Sequence, residues 1–173
     1  MMADPLPIPM RDNPVSDTGR FSRTWAQYID KLNTAVANVG KGVVDGSDAT
    51  AGQVGEYLTA SGSGVGLGGG TPANVATLSL TAGDWDVSGN VAFATTGATT
   101  AVVAGVSTVS GAFGSVYTHN SGTLGTSVQH RLGTGGSVRV NVTAAATVYL
   151  VAAASFSGGG VTASGEVWAR RVR

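Results

Sequence analysis

Asp84 and Asp86 flank Trp85. Side chains two apart on a strand face the same side, so these two carboxylates have the placement to ligate a hard cation together. Calcium takes about six to eight oxygens, and no further carboxylate lies nearby in sequence. The alternative is a turn at Gly83 and Asp84, with Trp85 opening a strand that packs inward. The two histidines, His119 and His130, are eleven apart and form no His-x-His pair that could ring an oligomer axis with metal. Ser121, His119 and Asp86 can be written as a hydrolase triad, yet no nucleophile elbow accompanies them. The run SGSGVGLGGGTP, residues 61–72, is glycine-rich like a phosphate loop but lacks its Lys-Ser/Thr and reads as a linker. Arg131, Arg139, Arg170, Arg171 and Arg173 stand against only Asp84, Asp86 and Glu166 in the C-terminal part. They form either an exposed strand end or a basic patch for a neighbouring subunit or acidic sugars. Glycan cleavage needs two placed carboxylates, and an enzyme is not expected. No catalytic residue, metal site or cofactor is assigned.

Composition narrows the classes further. Charged residues make up 12% of the chain, against about 25% in ordinary domains. Ten bases balance ten acids, so nonspecific attraction to nucleic acid is missing its main driving force. Cysteine is absent, which removes disulfides, thiol catalysis and thiolate metal sites. No apolar run reaches the roughly 20 residues of a membrane-spanning helix. The opening MMADPLPIPMRDNP is broken by proline and mixed in charge, unlike a signal peptide. A chain that is soluble, not inserted in a membrane and not exported by the usual route is expected.

The elements that would carry these residues fall into four stretches. Residues 1–18 hold Pro5, Pro7, Pro9 and Pro14, each fixing φ and favouring extended neighbours, and read as an anchoring arm. Residues 19–40 hold a helix: Trp25, Ile29, Leu32, Val36 and Val39 are spaced 4, 3, 4 and 3, a heptad seam. Ser22 suits the N-cap and Gly40 the C-terminal stop. A lone helix this short is marginal in water, so its stripe needs copies of itself, a different protein or the body of its own fold. Residues 41–72, rich in Gly, Ser, Thr and Asp, read as a linker with at most a short ordered piece near 53–58.

Residues 73–173 show short segments of β character between Gly, Ser, Thr and Asn turns. Strands are expected near 75–80, 85–94, 100–109, 115–118, 126–132, 137–143, 147–156 and 161–172. Val138, Val140 and Val142 alternate with Arg139 and Asn141, and no helical period interrupts. The fold class is mainly β: an arm and one α-helix, a Gly-rich linker and an antiparallel β-sandwich of jelly-roll type. Its core of Val, Ala and Thr buries little area per residue, and from Val87 to His130 the chain has no Asp, Glu, Lys or Arg. Both features predict association of identical chains.

The segment PVSDTGRFSRTWAQYIDKLNTAV resembles the attachment segment of small tailed-bacteriophage fibre and appendage proteins. LTAGDWDVSGNVAF and ATVYLVAAASFSGGGVTASGEVWARRVR resemble β-domains near the ends of phage tail or virion proteins. The resemblance covers roughly Arg11–Val36 and Ala76–Arg173. It implies a homotrimeric virion component, assembled in the host cytoplasm and carried on the phage tail or head surface. Trp25, Ile29, Leu32, Val36 and, by periodicity, Val39 would form the anchor or trimer seam. Trp85, Tyr149, Phe156 and Trp168 would frame the distal domain.

Three roles follow as expectations. One is a short trimeric fibre docked on a tail, neck or adaptor protein and used in host attachment. The others are a capsid decoration or head fibre protein, and a module recognising host-surface polysaccharide. For the last, the binding loops are expected near 111–125 and 157–160, with Phe113, Tyr117 and His119 as the candidate contacts.

Overall fold

The structure, a computed structural model, describes residues 14–15, 19–20, 22–37, 48–114, 118–121 and 129–172. The chain divides into two compact units, Met1–Gly42 and Val43–Arg173.

In the first unit a helix, α1, spans Arg23–Ala37. Ser22 caps it: its Oγ accepts a hydrogen bond from Trp25 N–H at 3.4 Å, answering one of the donors a helix start leaves unpaired. Ser22 N–H in turn donates to Pro14 O at 3.0 Å and ties the preceding chain to the cap. Trp25 and Tyr28 meet edge to face, with ring centroids 5.7 Å apart. Trp25 and Ile29 are half-buried and Leu32 is 40% exposed, so the stripe finds little cover within its own unit. Val36 falls within α1, whereas Val39 and Gly40 lie outside the described residues.

The second unit is an antiparallel sandwich with, among the described residues, nine strands: β1 (Tyr57–Leu67), β2 (Ala73–Leu80), β3 (Gly83–Thr95), β4 (Ala98–Ser107), β5 (Thr118–Ser121), β6 (Gln129–Gly133), β7 (Val138–Val142), β8 (Ala146–Ser157) and β9 (Val161–Arg171). One sheet runs β1-β9-β3, with β6 and β7 sharing the far edge of β3; the other runs β2-β8-β4-β5. β6 pairs with Asn90–Ala94 of β3 and β7 with Gly83–Val87. Thr134 bridges the gap between them: its Oγ1 accepts from Gly89 N–H and its own N–H donates to Gly89 O, both at 3.0 Å.

The core is built from alternation. Trp85, Val87, Val91 and Phe93 of β3 pack with Val148, Leu150, Ala152 and Ala154 of β8 and with Val161, Ala163, Val167 and Ala169 of β9. Small residues let the layers approach. A Cβ on Gly165 would lie 2.8 Å from Leu150 Cδ2, closer than packed carbon atoms allow, so Leu150 fills the space that glycine leaves.

The expected strands from 75 onward are present with shifted ends, except the one expected at 115–118, which shares only Thr118 with β5; residues 115–117 and 126–128 lie outside the described residues. The linker reading of 41–72 is corrected for its second half. Tyr57–Leu67 is β1, paired with β9 from Tyr57↔Arg170 to Leu67↔Val161. Leu58 and Ala60 pack on the core, while Thr59, Ser61 and Ser63 point to solvent. A Cβ on Gly62 would collide with the Val75 carbonyl, so the glycine that reads as linker is what lets β1 lie against β2.

Candidate functional site

Residues proposed for chemistry are mostly occupied by structure. Asp84 is committed to an arginine. It is buried and takes a bidentate fork from Arg139 of β7, Nε to Oδ1 at 2.7 Å and Nη2 to Oδ2 at 2.6 Å. That hydrogen-bonded pairing, reinforced by Coulomb attraction, raises the Arg139 guanidinium above its ordinary pKa, so Arg139 keeps its charge throughout the working pH range. Asp86 is exposed. Among the described residues no group of three or more acidic or histidine side chains could hold a metal ion, and no helix is long and apolar enough to cross a membrane.

Of the terminal arginines, Arg170 is exposed and Arg171 is withdrawn from the surface. Arg171 is 5% exposed, with its guanidinium carbon 4.3 Å from the centroid of the Trp85 ring. Its Nε donates to Glu56 Oε2 at 2.9 Å, and its Nη1 and Nη2 reach Ala82 O and Thr81 Oγ1. Glu56, also 5% exposed, accepts from Gly52 N–H at 2.7 Å. Backbone bonds Arg171 N–H to Glu56 O and Gly55 N–H to Arg171 O, each 2.9 Å, close the clasp. It fastens the segment before β1 to the end of β9 and holds the β2–β3 turn. Arg173 lies outside the described residues.

Of the binding loops expected near 111–125 and 157–160, residues 115–117 and 122–125 lie outside the described residues. β8 begins at Ala146, beside Leu80 at the end of β2, and finishes at Ser157, beside Ala98. The turn 158–160 therefore sits at the far end from the clasp. There Thr96 N–H donates to Gly160 O at 3.0 Å, and Gly160 N–H donates to Thr96 Oγ1 at 3.0 Å. β4, by contrast, ends with Ser107 opposite Tyr149, near the start of β8. The following segment crosses the outside of the four-stranded sheet: Asn74 of β2 donates from Nδ2 to Ser110 Oγ at 2.8 Å and accepts from Gly111 N–H at 2.7 Å. Asn74 and Gly105 flank Val151 on β8. Val151 is fully buried yet lies outside the core cluster, and the Asn74 bonds hold the strap of residues 108–111 at the neighbouring strand. Phe113 is half-buried just beyond. His119 belongs to β5, opposite Ala104, not to a loop, because ladder pairing with β4 takes up its backbone. Tyr117 lies outside the described residues.

Two of the expected framework aromatics also face outward. Trp85 is fully buried and Phe156 packs on the core. Tyr149 alternates with buried Val148 and Leu150, and Trp168 with buried Val167 and Ala169, and both are half-buried. Trp168 thus lies on the outer face of the five-stranded sheet, opposite Thr59 on one side and Ser88 on the other.

That outer face carries an open groove of about 270 Å³ lined by Gly62, Asn90, Ala92, Arg131, Ser164, Gly165 and Glu166. Four strands, β1, β9, β3 and β6, contribute. Sequence reading missed it because its members are scattered over a hundred positions and meet only through strand order. The available signal was the outward register of Ser164, Glu166 and Trp168 along one strand.

Comparison with known proteins gives likeness of fold only. No protein-family model matches the sequence, and neither does any curated protein. Among solved structures, infectious bursal disease virus of the Gx strain is similar at TM-score 0.45 and 14% identity, over 76% of this chain and 37% of that one. A VP2 subviral particle of the same virus is similar at TM-score 0.42 and 15% identity, with the same coverage. The tripod from the baseplate of bacteriophage Tuc2009 is similar at TM-score 0.33 and 16% identity, over 92% of this chain and 99% of that one. The chain thus spans little more than a third of the length of the infectious bursal disease virus chains it matches.

Proposed function

We propose that this chain is a structural, non-enzymatic component of a virion. In this reading it is a short homotrimeric fibre that docks on the tail, neck or adaptor of a tailed phage through its N-terminal arm and helix. The β-sandwich is displayed for host attachment. One observation carries the reading: α1 presents Trp25, Ile29 and an exposed Leu32 on one stripe, in a unit separate from the sandwich. A fifteen-residue helix of this kind is stable only when such a stripe is covered. The sandwich supports the display role, since its buried polar side chains are consumed in fastening strands.

The test uses the full chain carrying Ile29→Asp with Leu32→Asp. The wild-type chain is expected to show the mass of three chains by light scattering and to enter particles. The double variant should be monomeric and excluded, with the unfolding transition of the sandwich unchanged. A monomeric wild type, or a variant that still enters particles, defeats the reading. Counting copies per particle separates a fibre from a shell-covering decoration protein.

A further inference from the structure

We propose that the groove on the outer face of the five-stranded sheet binds a single neutral sugar ring, recognised by Asn90, Arg131, Ser164 and Glu166 with Trp168 alongside. The chemistry of the lining selects this class. Arg131 supplies donors only and Glu166 acceptors only, whereas Asn90 and Ser164 supply both. Hydroxyls around a ring are each donor and acceptor and match such a mixture. A phosphate would meet the Glu166 carboxylate, a cation would meet Arg131, and an apolar ligand would find Ala92 as the sole aliphatic side chain in the lining. One positive and one negative side chain cancel, which favours a neutral ligand.

The polar ends are held in place and remain open. Thr59 Oγ1 donates to Glu166 Oε1 at 2.7 Å, fixing the carboxylate while leaving Oε2 for a ligand. Gly64 N–H donates to Ser164 Oγ at 2.9 Å, so the serine hydroxyl hydrogen is free to donate outward. Ion pairs among the described residues join Arg139 to Asp84 and Arg171 to Glu56; Arg131 and Glu166 are not consumed by each other. Such pre-set groups lose little freedom on binding. A volume of about 270 Å³ lies just under the roughly 300–1,000 Å³ of clefts for drug-sized ligands, and so suits one ring. Trp168, two residues from Glu166 on the same face of β9 and flanked by the short Thr59 and Ser88, offers an indole beside the opening, the kind of amphipathic surface that meets one apolar and one wet side of a ligand.

The inference rests on the proposed function only for the source of the sugar, a host-surface polysaccharide. The experiment titrates the isotope-labelled full chain separately with glucose, galactose, mannose, rhamnose, N-acetylglucosamine and N-acetylgalactosamine. Saturable shifts of the Trp168 indole N–H and the Asn90 side-chain amide are expected with at least one of them. Arg131→Ala and Glu166→Gln should each weaken that binding at least about tenfold, the size of one lost hydrogen bond to a charged group. Their unfolding midpoints should match the wild type. The inference is overturned if no sugar moves these two signals, if the shifts map to the strap near Phe113, or if both variants bind like the wild type. Particle entry of the same two variants is measured in parallel. Normal entry without sugar binding removes this site alone, whereas sugar binding by a chain that never enters particles removes the virion reading and leaves the site.

Discussion

The two outer faces of the sandwich are built from the same small residues and end in opposite states. On the four-stranded side Val151 and Ala153, outside the core, are nonetheless buried, and the strap tethered by Asn74 runs beside them. On the five-stranded side Asn90, Ala92, Ser164 and Trp168 stay half-exposed and Arg131 and Glu166 fully exposed, with a groove between them. The difference teaches that a face is closed by what crosses it. A sheet of Val and Ala cannot close one unaided, and the polar outward residues of β3, β6 and β9 need no cover. A sealed part of the five-stranded sheet is its edge at the clasp, where Arg171 and Glu56 are withdrawn from water together.

Breaking that sealed corner should have the largest effect. Arg171→Ala leaves the Glu56 carboxylate buried without its partner and is expected to lower stability by about 3–5 kcal/mol, read from denaturant unfolding; a loss below about 1 kcal/mol would mean the corner is open to water. Next, Val151→Ala removes two methyl-sized groups beside the strap and should cost about 2 kcal/mol. An unchanged midpoint would show that the four-stranded face is not sealed. Asn74→Ala cuts both tethers of the strap and should cost about 1 kcal/mol, with faster hydrogen exchange at Gly111 and earlier proteolytic cutting within 108–114. At the small end, Arg131→Ala on the open face should stay within about 0.5 kcal/mol of wild type. A larger loss would mean that the groove is part of the packing and not a surface kept free.

Arginine shows how position changes the meaning of one residue type. Arg139 has a side chain 55% exposed over a buried Asp84, while the Arg171 side chain is 5% exposed between Trp85 and Glu56. In sequence they belong to one basic group facing three acids. Glu56, the partner of Arg171, is 115 residues away, in a stretch that reads as linker. No local pattern marks such a pair, since a strand's neighbours are set by topology.

Reading from sequence reached the strands from 75 onward, the helix with its Ser22 cap and the antiparallel sandwich, because alternation and capping are local and repeat within a few residues. It lost β1, although Leu58, Ala60 and Gly62 alternate with Thr59, Ser61 and Ser63. Glycine content hid that period, and only the facing Val75 carbonyl shows why a side chain is barred at Gly62.

The sequence by itself determined which stretches become strand or helix and which side of each is apolar, since those depend on neighbours one to four residues away. Tertiary structure alone decided which face of the sandwich is sealed, where Arg171 finds its carboxylate and which polar residues meet in the groove. Strand order and strap crossing join residues more than a hundred positions apart, and burial is a property of that arrangement and not of any one segment.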